Sequence, residues 1–491
     1  LEGIDPTHAS SIYVVIARAI YNKTGSSNKE AREKAIRYLE RCWTAIHSLE
    51  RSFALLEKGI MHDCVKYLAS LYLKEGRHDE AFATVKRLTV SIPQHELIDP
   101  DLILFLATEF SDAYLNELKI DILTMFLGTI NRSWDKEKRA AAYLAFGEGY
   151  TCLTEYEKAA SFLHKALAIT DDTENKVAVL SQMGFMLTCS CNYDDAFAAL
   201  NQALEILSAE AGGKWKKSTK SWSEMTAFIH IEVGEVLSEQ QGKRDLEALE
   251  SFERALVIIK EEDLGDGDAT RNLVARTCHE SGVVHARLGN WDEAIDYLKL
   301  AYSSIGTDTD PLKSHFHAAV CENIGRVRLD QYFWDARLRQ DTQKRENIIL
   351  EALIFSKESM TFGLYINDAF LNCAQAAYLI ADIAEATRLL TVYFEAEMEK
   401  KNGIYCRSCD RIAGKGGTDI KICRNCQVVD YCSEAHQTLA WRRGRLSHKV
   451  MCPFLKRYRL VAKAKNRIDT EPVEDICKDF FETVCVLKYE E

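Results

Sequence analysis

Small apolar, large apolar and polar residues recur along most of the chain in one ladder. In "YLAFGEGYTCLTEYEKAASFLHKAL", Gly147 is followed by Tyr150 and then by Ala159, Leu163 and Ala166. The ladder returns as Gly184, Leu187, Ala196, Leu200 and Ala203, and again as Gly282, His285, Ala294, Leu298 and Ala301. Ala69, Tyr72, Ala81, Val85 and Leu88 keep the spacing with a larger last residue. Gly234, Leu237, Ala248, Phe252 and Ala255 keep it with two extra residues in the turn. Ala35, Leu39 and Cys42, and likewise Ala386, Leu390 and Tyr393, read as second halves of further units.

Residues four and seven apart share one face of a helix. The pattern therefore predicts a helix–turn–helix, in which the small residue of the first helix lets the second approach closely. The turns agree: "EGRHDEA", "TEYEKA", "CNYDDA" and "LGNWDEA" each put acidic residues into the first turn of the second helix, where they suit the helix dipole. One pair cannot bury its apolar face alone, so neighbours must stack into a solenoid. The predicted fold is all-α, with nine pairs over roughly residues 10–395, two of them degenerate around 101–133 and 325–360.

The residues Tyr143, Phe146, Gly147, Tyr150, Ala159, Leu163 and Ala166, with Pro93 closing the unit built on Ala81, resemble the tetratricopeptide repeat (TPR) family. A generic helical array of the HEAT or armadillo kind is the alternative. The resemblance implies a concave face, lined by the first helix of each pair, that takes a peptide or helix. One TPR subclass clamps a chaperone's carboxylate tail with Lys and Asn at the fifth and ninth positions of a first helix. Here those positions hold Lys66/Ser70, Leu144/Glu148, Ser181/Phe185, Ile231/Glu235 and His279/Val283, so that clamp is disfavoured. A basic or amphipathic segment is the expected occupant.

Beyond residue 400 the pattern changes. Cys406-x2-Cys409, Cys423-x2-Cys426, Cys432-x3-His436 and His448-x3-Cys452 place eight soft ligands in four pairs. Zinc takes four ligands tetrahedrally, so eight imply two structural sites. The last two pairs are spaced i, i+4 and share a helical face. Histidine cannot join a disulfide, which disfavours staples. The order, with Tyr431 before Cys432, Gln437 after His436, and then Trp441, resembles the MYND zinc finger. RING and PHD modules share cross-bracing but lack this ending. The resemblance implies that Cys406, Cys409, Cys432 and His436 hold one ion, and Cys423, Cys426, His448 and Cys452 the other. It also implies recruitment of proteins through proline-rich peptides, with Gln437 and Trp441 as contact candidates. Two features depart from the family pattern: His436 stands where cysteine is usual, and about four extra residues near 444–447 separate Trp441 from His448.

Charge sharpens the division. Residues 404–467 carry fifteen Lys and Arg against four Asp and Glu, +11 in a chain of −12, which leaves −23 elsewhere. Such asymmetry suits two kinds of partner. Nucleic acid is disfavoured, because no aromatic residues interleave with the basic ones. Of 16 cysteines, ten lie scattered through apolar helical text, as in proteins of a reducing compartment; cytoplasm or nucleus is expected. No apolar run reaches a membrane span, and no signal peptide is evident, although the chain opens on Leu1 rather than methionine.

The expected organisation is a TPR-like array over 1–395, a MYND-type finger over 404–456, and a basic segment with a C-terminal amphipathic helix over 457–491, begun by Thr470 as N-cap with Pro472 just inside. The expected function is a non-enzymatic adaptor between proteins, with two structural zinc ions and no membrane partner. The alternatives are a regulator related to MYND-containing methyltransferases but without their catalytic domain, and a nucleic-acid-associated factor using the basic module.

Overall fold

The structure, a computed structural model, describes residues 6–24, 29–48, 55–91, 98–113, 115–211, 219–240, 242–261, 267–305, 311–335, 337–338, 341–362, 367–399, 421–423, 430–431, 448–463 and 472–486. Among them, eighteen helices precede residue 400 and follow one another in chain order as nine pairs. These are α1 (Pro6–Thr24) and α2 (Lys29–Ser48), α3 (Leu55–Lys74) and α4 (His78–Ser91), α5 (Pro100–Asp112) and α6 (Asn116–Ser133), α7 (Lys136–Cys152) and α8 (Tyr156–Ile169), and α9 (Thr173–Cys189) and α10 (Tyr193–Ala211). Then come α11 (Thr219–Ser238) and α12 (Asp245–Glu261), α13 (Asp268–Arg287) and α14 (Trp291–Ser304), α15 (Pro311–Trp334) and α16 (Thr342–Thr361), and α17 (Asn367–Leu379) and α18 (Ile383–Glu399). The chain divides into two compact units, Leu1–Met186 and Leu187–Glu491. The array is all-α and TPR-like, and no described helix is long and apolar enough to cross a membrane.

The ladder residues do what their spacing predicts. Ala159, Leu163 and Ala166 in the first unit, and Ala294, Leu298 and Ala301 in the second, are fully buried. A side chain on Gly147 would come within 2.5 Å of Leu163, and one on Gly282 within 2.7 Å of Leu298 and 2.9 Å of the Ala294 carbonyl. Gly234 stands against the Phe252 ring in the same way, at 2.4 Å. The missing Cβ is thus the space into which the large residue of the second helix fits.

Five turns close alike. Arg77, Glu155, Asn192, Asn290 and Asp382 each donate their backbone N–H to the carbonyl five residues back, at 2.8–3.0 Å. The residue before each donor lies in the left-handed region: Gly76, Thr154, Cys191, Gly289 and Ala381. This is the Schellman closure of the first helix, and it satisfies carbonyls that the helix end would otherwise strand.

The two degenerate units are true helix pairs, and each hides the ladder for a definite reason. In α6 a lysine occupies the alanine position: Lys119 donates its N–H to the Leu115 carbonyl, as Ala81 does to that of Arg77, and is followed by buried Leu123 and Phe126. Its side chain is only 1% exposed, and Nζ lies 2.8 Å from the Glu148 carboxylate. In α15 and α16 the glycine is Gly325, whose Cβ would meet Ser356 Oγ at 2.3 Å. Ala352, Ser356 and Ser359 form the opposing stripe, twenty-seven rather than twelve residues from the glycine to the alanine. Insertion around the turn displaces the pattern without changing the packing.

Candidate metal centre and interaction surface

In the finger, a short antiparallel hairpin pairs Lys421 with Tyr431 and Ile422 with Asp430. Cys423 follows the first strand directly. His448 opens the finger helix (His448–Lys463), and Cys452, one turn later, lies on the same face. The structure brings these three together: one ligand atom from each of Cys423, His448 and Cys452 lies within 4.8 Å of the others. The two sulfurs are 3.8 Å apart. Two thiolates bound to one zinc at about 2.3 Å, at the tetrahedral angle, stand about 3.8 Å apart, whereas a disulfide needs about 2.05 Å. All three residues are buried, at 4%, 5% and 1% exposure. The donor types, separation and burial fit zinc. Three of the four residues expected at this ion are therefore placed; Cys426 lies outside the described residues. So do Cys406, Cys409, Cys432 and His436 of the other set, and the contact candidates Gln437 and Trp441.

The cluster is anchored in a core that reaches well beyond the finger. Met451, Phe454, Leu455 and Tyr458 of the finger helix share it with Leu390, Tyr393 and Phe394 of α18, and with Ile476, Phe480 and Phe481 of the C-terminal helix (Val473–Phe481). Ring contacts tie the three: Phe394 to Tyr458 at 5.0 Å, Phe454 to Phe480 at 5.3 Å, and Tyr378 of α17 stacked on Phe481 at 4.6 Å. Arg457 adds an ion pair to Asp479 at 2.8 Å. Burial pushes the Tyr458 hydroxyl up to about 12 and the Cys477 thiol up to about 11. The C-terminal helix thus docks on both the finger helix and the last repeat. It begins at Val473 with Pro472 at the N-cap position, not inside the helix as the sequence suggested, and Thr470 lies outside the described residues.

A second candidate surface runs along the first helices of successive pairs in the unit Leu187–Glu491. Arg276 of α13 donates two hydrogen bonds to the Glu235 carboxylate of α11, both at 2.6 Å. His279 Nδ1 faces Glu280 at 2.9 Å, and its Nε2 lies 3.0 Å from Asn323 Nδ2 of α15. Asn323 Oδ1 accepts from Arg326 at 2.7 Å. Glu322 accepts from Asn372 of α17 at 2.9 Å. Burial, reinforced by the charge of Asp368, holds the Glu322 carboxyl at about 7, with Arg326 and Asn372 pulling it back. Glu235 and His279 occupy the groove positions read from the sequence, and they lie in this ribbon. Sequence reasoning missed Arg276 and Asn372, whose signal is the repeat interval: Arg276 follows Glu235 by forty-one residues and Asn372 follows Glu322 by fifty.

Comparison with known proteins agrees with this architecture. The model of the MYND finger matches residues 404–452, and that of the tetratricopeptide repeat matches 142–177 and 277–312. Both repeat matches fall where the glycine ladder is cleanest. No curated protein matches the chain. Among solved structures, a tetratricopeptide repeat protein from Parabacteroides merdae is similar at 12% identity and a TM-score of 0.40, over 64% of this chain and 99% of that one. A Signal Transduction ATPase with Numerous Domains protein with a tetratricopeptide repeat sensor, from Pyrococcus horikoshii, is similar at 14% identity and a TM-score of 0.45, over 76% of this chain and 55% of that one. A Rap protein complexed with competence and sporulation factor is similar at 13% identity and a TM-score of 0.38, over 80% of this chain and 98% of that one. The chain carries tetratricopeptide repeats and, C-terminal to them, a MYND finger that binds zinc.

Proposed function

We propose that this protein is a non-enzymatic adaptor joining two proteins. The finger binds two structural zinc ions, one through Cys406, Cys409, Cys432 and His436 and one through Cys423, Cys426, His448 and Cys452, and recruits one partner through a proline-rich peptide. The repeat groove takes the other partner as a basic or amphipathic segment. Cytoplasm or nucleus is the compartment that suits the scattered cysteines.

The observation that carries the reading is the burial of the placed donors within a packing core. At 1–5% exposure, Cys423, His448 and Cys452 are packed into the core as structural donors are. Metal there stabilises a shape, as structural zinc does. The ribbon supports the second half, because Glu280 and Asp368 add carboxylates beside the Arg276–Glu235 pair, and such carboxylates favour a basic guest.

The test uses the full chain, because the finger helix shares its core with the last repeat. Zinc-loaded protein is applied to arrays of proline-rich and of basic amphipathic peptides. Zinc-dependent capture of the first is expected, together with capture of the second that weakens about tenfold, or about 1.4 kcal/mol, in Glu235→Gln. Failure to retain either class by folded, zinc-loaded protein would overturn the reading. Salt-sensitive retention of RNA or DNA instead would point to the basic module as a nucleic-acid surface.

A further inference from the structure

A second group of metal-ligating side chains lies away from the finger, between α14, α15 and α16. His317 and Cys321 stand one turn apart on α15, and Glu358 reaches them from α16; one ligand atom from each lies within 4.8 Å of the others. The His317-x3-Cys321 spacing is that of His448-x3-Cys452 in the finger.

The site is held in place from several sides. The His317 ring lies edge-on to Tyr302 at 4.4 Å and stacks on Phe362 at 4.7 Å. Tyr302 donates its hydroxyl hydrogen to Glu358 Oε1 at 2.6 Å, which orients the carboxylate and leaves Oε2 available. Next to the donors, the Ser359 hydroxyl donates to the Ala318 carbonyl at 2.8 Å and fixes α16 against α15. His317 Nε2 is buried with no hydrogen-bond partner among the described residues, a cost that a packed protein rarely leaves standing.

We propose that His317, Cys321 and Glu358 bind a divalent transition-metal ion of the zinc class, at a site separate from the finger. An imidazole, a thiolate and a carboxylate suit zinc or cobalt rather than magnesium or calcium, which take oxygen donors. The charges close: a divalent cation balances one thiolate and one carboxylate, so the loaded site is neutral in a largely buried position. When the ion binds, the S–H bond gives way to an S–metal bond and the proton leaves to solvent, so uptake strengthens as pH rises.

The experiment compares zinc per chain at saturation in the full-length wild type, Cys321→Ser and Glu358→Gln, each checked by far-ultraviolet circular dichroism. The wild type should hold one more ion than either variant. With cobalt(II) substituted for zinc throughout, the wild type should show a stronger thiolate charge-transfer absorption than Cys321→Ser, the excess being the contribution of this site. The finger's ions are common to all three proteins, so the difference does not depend on how many it holds. If Cys321→Ser loses helicity, the near-isosteric Glu358→Gln carries the count. Equal zinc content in folded wild type and variants, with no cobalt absorption dependent on Cys321, would overturn the proposal.

Discussion

The α13–α14 pair and the finger region belong to one compact unit but are held by different means. In the pair, the decisive contact joins Gly282 to Leu298, sixteen residues away, and a short turn brings the two together. In the finger region, Cys423 must meet a helix that begins at His448, and that helix rests on α18 on one side and the C-terminal helix on the other. Local contacts lose little chain entropy on forming, so they can be made from apolar residues alone. The finger has too little core of its own and adds metal ligation to borrowed packing.

The largest expected effect comes from removing the metal. Cys452→Ser, or zinc chelation, should abolish hydrogen-exchange protection across His448–Lys463 and Val473–Phe481 and lower it in α18. Structural zinc contributes on the order of 10 kcal/mol in isolated finger peptides. Protection in α13 and α14 should survive. If it falls as well, the two regions form one cooperative unit and the contrast between them fails.

Next in size is a change within the pair. Leu298→Ala removes a fully buried side chain and should cost about 3 kcal/mol in urea unfolding. Gly282→Val should cost at least about 2 kcal/mol, because a Cβ there meets the Ala294 carbonyl at 2.9 Å and the backbone has to move. Both variants should keep wild-type zinc content, and loss of zinc from either would show that the array supports the finger at a distance.

The ribbon gives a smaller, pH-dependent effect. The Glu322 carboxyl sits at about 7 in the folded protein against an ordinary value of 4.5. Its protonated form is favoured by folding, so this contribution is fully present below about pH 4.5 and lost as pH rises through 7. Glu322→Gln should therefore gain stability relative to wild type as pH goes from 5 to 8, by about 1 kcal/mol once solvent screening is allowed for. Urea melts at the two pH values would check it, and parallel profiles would reject the burial argument.

The smallest effect lies in the turns. Thr154 and Ala381 hold left-handed backbone, with φ of 62° and 64°. Thr154→Gly and Ala381→Gly should each stabilise by up to about 1 kcal/mol, read as a rise in the urea midpoint. A fall would mean that the side chains repay their strain through packing.

How far the sequence could be read follows the same division. The ladders at Gly147 and Gly282 were legible because the helix fixes every separation involved. His448 and Cys452 were legible as partners for the same reason. Lys119 concealed a pair, because a cation in an alanine position looks like broken periodicity until Glu148 is seen beside it. Gly325 and Ala352 concealed another, because an insertion near the turn stretched the count. The left-handed geometry of Thr154, Cys191 and Ala381 left no trace, since the closure is imposed by the helix pair and not by residue type. The seat of the C-terminal helix was equally hidden. Its amphipathic face is plain in the sequence, but an apolar face does not say which other apolar face it meets.

The seating of the finger helix and the C-terminal helix on α18 also bears on the protein's life in solution. Tyr393 and Phe394 are fully buried there, and those two helices make much of their cover. If a chelator or a damaged cysteine released the cover, aromatic surface at that end of the repeats would meet water and other chains. Zinc supply would then govern how long the protein stays dispersed: metal-starved molecules would be the ones that clump, or that the cell's quality-control machinery removes.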